Sequence, residues 1–330
     1  MAPENSSLWA LTDITELQSY RVLIAIILAV GLAAHGYSKK SLSASGAVGA
    51  LFVGFTSFAS SYRFGFILIL FYYTSSKLTK LKENVKAKLE DDYVSGGRRG
   101  AVQVLACSLF GTLACILFTF FIGEDCHINF GNVPPESQLI FPFIKLSKNQ
   151  VAAYLWSAYI AHYSCATADT WASEVGILSK EKPRLVTTFQ EVPHGTNGGI
   201  SVLGTFASMA GGAFIGIIFW VMSLRGFDDK IDQPSQYPMI LVGLLSGFLG
   251  SLIDSVLGAT VQATYYSPEK KCIVKKLSST DKMEISCVSG IDILSNEAVN
   301  IVSIVLTMFL SLWLSPAVFC FCDSKHCFSN

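Results

Sequence analysis

Charge is scarce in this sequence, and neither sign prevails. Only 15% of the 330 residues are Asp, Glu, Lys or Arg, with 24 basic residues balanced by 24 acidic ones. A neutral chain with no basic domain lacks the cationic surface that a phosphate backbone requires, which argues against nucleic acid as a partner. Histidine is rarer still, at five. His35, His127, His162 and His194 form no visible zinc ligand set, and only His194, beside a glycine-rich turn, is placed to touch a ligand. No Gly-Lys-Ser/Thr follows that turn, so it is not a Walker A loop. No basic n-region precedes the first apolar run and no small-residue cleavage site follows it, which favours an uncleaved span over a signal peptide. Of nine cysteines, Cys107, Cys115 and Cys165 lie where a small apolar residue suffices. Cys320, Cys322 and Cys327 gather near the C-terminus, where a disulfide or palmitoylation is open; no prenylation box ends the chain.

What the chain has in quantity is apolar sequence. Hydrophobic residues make up 51% and the mean hydropathy is +0.48, the composition of a multispanning membrane protein. Runs near the ~20 residues that cross a hydrocarbon core fall at 20–35, 46–61, 62–76, 101–122, 151–168, 199–224, 239–265 and 297–319. The second and third are short and separated only by Ser60, Ser61, Tyr62 and Arg63, so a re-entrant hairpin is an alternative there. The expected fold is an all-α, polytopic membrane helix bundle of six to eight spans, with residues 1–330 forming one integral membrane domain.

Orientation follows from the distribution of Lys and Arg in short loops. With eight spans, seventeen of the 24 basic residues fall on one side, in the segments after Ser38, Ser76, Ser179 and Glu269. That face is expected to be cytosolic, with basic or site-bearing loops at 77–100, 169–198 and 266–296. Residues 1–19 then form a lumenal or outside tail, whose Asn5-Ser6-Ser7 is a glycosylation sequon. An endomembrane such as the endoplasmic reticulum suits this arrangement.

The unusual polar residues fall on the same basic face. Asp169 and Glu174 follow the fifth span, Gly195-Thr196-Asn197-Gly198-Gly199 opens the sixth, Asp254 lies in the inner half of the seventh, and Glu297 with Asn300 opens the eighth. Snorkelling near helix ends explains any one of them equally well. Asp254 is harder to dismiss. Gly243, Gly247, Gly250, Asp254 and Gly258 share one helix face, so another helix packs closely there and the carboxylate points inward. A charge at a helix centre costs about 2.5–3.5 kcal/mol on insertion scales, so it calls for a partner such as a cation. Gly204, Ser208, Gly212 and Gly216, and Gly46, Ala50 and Gly54, read as packing stripes. The glycine turn ahead of a helix suits phosphate, because glycine permits close approach and the helix N-terminus favours an anion; a ligand-free Gly-Asn turn fits the same residues. Lys77, Lys80, Arg98 and Arg184, with Thr187 and Thr188, could neutralise such a phosphate, although basic clusters beside a membrane also bind anionic headgroups.

Taken together, Ser75-Ser76-Lys77-Leu78-Thr79-Lys80, Gly96-Gly97-Arg98, Asp169-Thr170-Trp171-Ala172-Ser173-Glu174-Val175-Gly176, Pro183-Arg184, Thr196-Asn197-Gly198-Gly199 and Asp254-Ser255 with Gly258-Ala259-Thr260 resemble the transmembrane protein 19 family of animals. The resemblance runs in order from about residue 36 to 310. That group is related to the plant phytyl-phosphate kinase and to prokaryotic membrane proteins classed as cytidylyltransferase-like. The resemblance implies phosphoryl transfer from a nucleoside triphosphate, for example CTP, to an isoprenoid monophosphate to give the diphosphate. Such chemistry needs positioning and charge neutralisation. The expected roles are Asp169, Asp254 and Glu297 as Mg²⁺-linked carboxylates, with Asn300 assisting and Glu174 as a further ligand or an orienter. Lys77, Lys80, Arg98, Arg184 and Gly195 to Gly199 would hold phosphate, and the lipid tail would lie between spans. A transporter of a small anion or lipid phosphate is the rival, supported by the intramembrane acids and by a faint likeness between Asp169-Thr170-Trp171-Ala172-Ser173 and Asp254-Ser255-Val256-Leu257-Gly258-Ala259.

Overall fold

The computed structural model describes residues 6–81, 98–123, 126–131, 146–224, 235–274 and 285–322, with side chains from Tyr20 onward. Nine helices form among these residues: α1 (Ser6–Ser38), α2 (Ala44–Ser60), α3 (Tyr62–Thr79), α4 (Ala101–Ala106), α5 (Leu109–Phe121), α6 (Lys148–Gly176), α7 (Val202–Ser223), α8 (Pro238–Val261) and α9 (Asn296–Cys322). Five short strands accompany them: β1 (Arg184–Leu185), β2 (Gly199–Ile200), β3 (Thr264–Ser267), β4 (Cys272–Val274) and β5 (Ser286–Ser289). The chain is thus a helix bundle with minor sheet. Tyr20–Ser38 and the whole of α7, α8 and α9 are each long and apolar enough to cross a membrane, while α2 and α5 are apolar but shorter, at 17 and 13 residues.

Local chemistry sets the helix starts. Ser43, Ser61 and Ser201 each turn a hydroxyl onto an early N–H of α2, α3 and α7, and Ser147 with Gln150 forms a reciprocal capping box at α6. Pro238 opens α8, where its missing N–H is not needed. Spans two and three are separate helices joined at Ser61, whose extended backbone ends α2 and caps α3.

Three segments differ from the sequence expectation. The run 101–122 breaks at Cys107 and Ser108, because the Cys107 carbonyl is taken by His162 Nε2 at 2.9 Å, which leaves α4 and α5 as separate pieces. Helix α6 runs on through Gly176, so Asp169 and Glu174 stand on its last two turns and not in a loop. Within 266–296, the described residues include parts of an antiparallel sheet of order β4-β3-β5 in place of an irregular loop.

The bundle is organised around α6, which packs against α3, α5, α7, α8 and α9. One end of this core is aromatic: Phe64 stacks on Trp156 with centroids 3.8 Å apart, and Phe118, Tyr159, Tyr163 and Phe219 close around them. Arg63 is buried in this nest at 2% exposure, its guanidinium 4.5 Å from the Trp156 ring and 4.9 Å from Phe219. It donates to Ser223 Oγ at 3.0 Å and to the Cys126 carbonyl, so the charge is held by π faces and oxygen acceptors. The residue read as a loop separator is a structural anchor.

At the other end the glycine stripes bring backbones together. A methyl group built on Gly247 would lie 2.6 Å from Gly212 Cα, and one on Gly243 would meet the Gly212 carbonyl at 2.5 Å. A methyl group on Gly211 would lie 3.2 Å from Ala168 Cα of α6, and one on Gly250 would lie 2.6 Å from Cys165 Sγ and 2.8 Å from Thr307 Oγ1. Helices α7 and α8 therefore meet backbone to backbone, and α6 packs on both through small residues, the packing available in lipid, where the hydrophobic effect does not drive helices together. Gly212→Val is expected to lower stability by about 1–3 kcal/mol, the usual cost of overpacking; a thermal unfolding midpoint in detergent equal to wild type would contradict the contact.

Candidate functional site

The glycine contact fixes the register of α6 against α8 and leaves two acidic side chains facing each other beyond it. Asp169 of α6 and Asp254 of α8, both half-buried, lie close enough to interact directly. Ser303 of α9 donates its hydroxyl to Asp254 Oδ2 at 2.9 Å. Ser303 is itself held by Thr307, which donates to its carbonyl at 2.7 Å.

Both carboxylates line a cavity of ≈ 680 Å³. Its walls come from the last turns of α6 (Ala172, Ser173, Glu174, Gly176), the loop Gly195 to Gly199, the first turns of α7 (Ser201, Gly204, Thr205) and α8 from Phe248 to Gln262. Asn296 and Gln103 complete it. No Lys or Arg lines this cavity; His194 is its sole basic-type side chain among the described residues. The cavity thus joins Asp169, Glu174 and Asp254 with the amino end of the 22-residue helix α7, where the helix dipole is positive.

The glycine loop serves this site in a way its sequence concealed. Gly198 has φ +75° and sits so tightly on α8 that a methyl group would meet Ser255 O at 2.5 Å and Ala259 N at 2.6 Å. Gly195, at φ +87°, backs onto Ile273 of β4. The Asn197 N–H donates to Thr264 Oγ1 of β3 at 3.1 Å, and Ser289 Oγ of β5 donates to the Asn197 carbonyl at 3.4 Å. The N–H groups of Thr196 and Gly199 are turned inward too, onto Pro193 O and Thr196 O. The small sheet therefore clamps the loop, and the loop braces the Asp254 turn of α8. The expected open row of N–H donors is largely spent on the protein itself.

Several expected residues stand elsewhere. Lys77 is exposed, with Nζ over the Tyr73 ring at 4.5 Å, and Lys80 forms the C-cap of α3. Arg98 is exposed. Arg184 lies on the β1–β2 hairpin, donating to Phe189 O at 3.2 Å and 3.7 Å from Glu191. None of these four lines the cavity. Glu297 and Asn300 are half-buried on the first turns of α9 but do not line it, and no three His, Cys, Asp or Glu side chains among the described residues gather as a preformed metal centre. The acidic centre is a pair, Asp169 and Asp254. Gly96, Gly97, Lys82, Lys86, Lys88, Lys275, Lys276 and Lys282 lie outside the described residues.

Ser303, Gln103 and Asn296 were not singled out from sequence. Ser303 had a readable signal: it stands three residues after Asn300 and four before Thr307, and so shares one polar helix face with them.

The fold and cavity define an integral membrane helix bundle with an acidic polar site at one end of its spans. The chain belongs to the integral membrane protein family DUF92, whose model matches residues 27–308. It is similar to Protein PGR of Arabidopsis thaliana, at 34% identity over 91% of this chain and 98% of that protein. The uncharacterized membrane protein MJ0933 of Methanocaldococcus jannaschii is 28% identical over 72% of this chain and 82% of that one. Protein VTE6, chloroplastic, of Arabidopsis thaliana is 26% identical over 67% of this chain and 56% of that protein. No solved structure matches.

Gly198→Ala is expected to cost stability by about 1–3 kcal/mol, from the strained left-handed backbone and the absent space against α8. The check is thermal unfolding in detergent; full wild-type stability would mean the loop does not brace the helix as described.

Proposed function

We propose that this protein is an integral membrane phosphoryl transferase. It transfers the γ-phosphoryl group of a nucleoside triphosphate, for example CTP, to an isoprenoid monophosphate at the cytosolic face of an endomembrane such as the endoplasmic reticulum. The observation that carries this reading is the facing pair Asp169 and Asp254 on a roomy polar cavity set at the end of apolar spans, where a soluble donor and a lipid-anchored acceptor can meet. The resemblance to the phytyl-phosphate kinase group supports the same chemistry.

The residues present fit a Mg²⁺ ion as cofactor. Two carboxylates facing each other in a half-buried site repel unless a proton or cation lies between them, and Mg²⁺ is commonly held by one or two carboxylates with the remaining positions filled by water and substrate phosphate. Bound by Asp169 and Asp254, it would supply charge neutralisation for the phosphate oxygens. A cavity lined by acids and by no Lys or Arg among its described residues would otherwise reject a triphosphate. Ser303 holds the Asp254 carboxylate in place, the amino end of α7 favours the anion, and Glu174 closes the wall near Asp169. The acceptor's phosphate oxygen forms the new bond to the γ-phosphorus as the bond from that phosphorus to the β,γ-bridging oxygen breaks. The products are the lipid diphosphate and the nucleoside diphosphate. A lipid monophosphate is already anionic, so no general base is assigned.

The test is purified protein with Mg²⁺, γ-labelled CTP or ATP and geranylgeranyl or phytyl monophosphate. Labelled lipid diphosphate is expected from wild type, with losses of roughly 10²-fold or more in Asp169→Asn and Asp254→Asn, the scale of one lost electrostatic group. Chelation of the divalent ion is expected to abolish transfer. No label with either donor, in protein shown to be folded, would overturn the transferase reading and turn attention to reconstituted flux of an anion or lipid phosphate.

A further inference from the structure

Gln103 of α4 faces two spaces at once. One is the acidic cavity; the other is an apolar groove of ≈ 80 Å³ enclosed by α1, α2, α3 and α4. Leu32, Val53, Leu68 and Phe71 give this groove its walls; Tyr72, Arg99, Gln103 and Ser108 are polar members of its lining, and of these Gln103 alone also lines the cavity. Arg99 is half-buried, and no carboxylate pairs with it among the described residues. Its backbone is pinned: its N–H donates to Ser41 O at 3.0 Å and its carbonyl accepts from Ser43 N–H at 3.1 Å. Gly46 is bare against that carbonyl, since a methyl group there would overlap it. The connection between α1 and α2 thus sets one arginine in the apolar groove, four residues before Gln103, which stands at the seam of that groove and the acidic, polar cavity.

A cation held beside such a seam, with hydrocarbon walls on one side and polar walls on the other, matches an anion that carries a hydrocarbon chain. We propose that Arg99 and Gln103 receive the phosphate of the acceptor lipid while the groove holds the part of its isoprenoid tail nearest that phosphate. This assignment rests on the reading of the protein as a transferase acting on a lipid phosphate, and it moves the acceptor from unspecified space between spans to a defined groove. A groove of ≈ 80 Å³ takes only the part of the tail next to the phosphate, so the far end of the tail continues into the bilayer. Guanidinium suits the task, because it stays charged when partly buried and meets phosphate oxygens through paired donors. The arrangement also provides the positive charge that the acidic cavity itself does not line up, on the acceptor side of the carboxylate pair.

Binding is measured without nucleotide, using a diazirine-bearing geranylgeranyl monophosphate with purified full-length protein. Photolabel is expected on peptides of α2, α3 and α4, and to be competed by geranylgeranyl monophosphate but not by inorganic phosphate. Arg99→Gln is expected to weaken binding by about tenfold or more, the loss of one charge-assisted contact, with Arg99→Lys retaining part of the affinity. Ala50→Trp, which fills the groove without touching the charge, is expected to abolish labelling at an unchanged thermal midpoint. Asp169→Asn and Asp254→Asn are expected to keep it. Labelling that ignores Arg99→Gln and Ala50→Trp would overturn the proposal even if phosphoryl transfer is observed. Labelling that obeys both variants would uphold the lipid-phosphate groove even if no transfer is found, in which case the transferase reading fails alone.

Discussion

The close approach of three helix backbones is the constraint on which the rest of the structure depends. In a bilayer, apolar side chains gain little by leaving lipid for protein, so helices associate through packing and polar contacts. Here Gly211, Gly212, Gly243, Gly247 and Gly250 remove the side chains that would separate α6, α7 and α8. The register follows from these contacts, and with it the position of every group beyond them. Because Ala168 meets Gly211 and Gly250 meets Cys165, the next residues along α6 and α8 bring Asp169 and Asp254 to face each other.

That pairing is costly, and the surrounding structure is arranged to hold it. Ser303 on α9 donates to Asp254, while the glycine loop, clamped by β3 and β5, fills the space behind the Asp254 turn. At the far end, the Arg63 and Trp156 cluster locks α3, α6 and α7 around a buried cation. The bundle therefore has one end fixed by aromatic packing and one end opened into a polar cavity. Rigidity at the first end lets the second present two carboxylates without helix rearrangement.

Much of the helical layout was legible in sequence, because long apolar runs and glycine spacing are strong periodic signals. The stripe Gly243, Gly247, Gly250, Asp254 correctly turned Asp254 inward, and its packing partner Gly212 belonged to the other stripe that spacing revealed. The extent of α6 was not legible: Asp169 to Gly176 is polar enough to read as a loop, yet it continues the helix, because membrane spans may extend into water. The breaking of 101–122 depends on His162, 55 residues away, and no local pattern encodes such a contact. The basic residues read from sequence stand outside the cavity for a related reason. Lys77, Lys80, Arg98 and Arg184 were grouped with the acids by the charge pattern of the loops, but a shared charge pattern does not make a shared site, and Arg99, one residue from Arg98, lies in the groove instead.

The family relationship makes this an integral membrane protein, and the central proposal about this chain is narrower: that Asp169 and Asp254 together form one cation site. Mn²⁺ as a stand-in for Mg²⁺, titrated into purified protein in the presence of a non-hydrolysable CTP analogue and followed by its electron paramagnetic resonance signal, tests that directly. The account predicts a single Mn²⁺ site in wild type that is lost in both Asp169→Asn and Asp254→Asn. Undiminished Mn²⁺ binding in the two variants would contradict it.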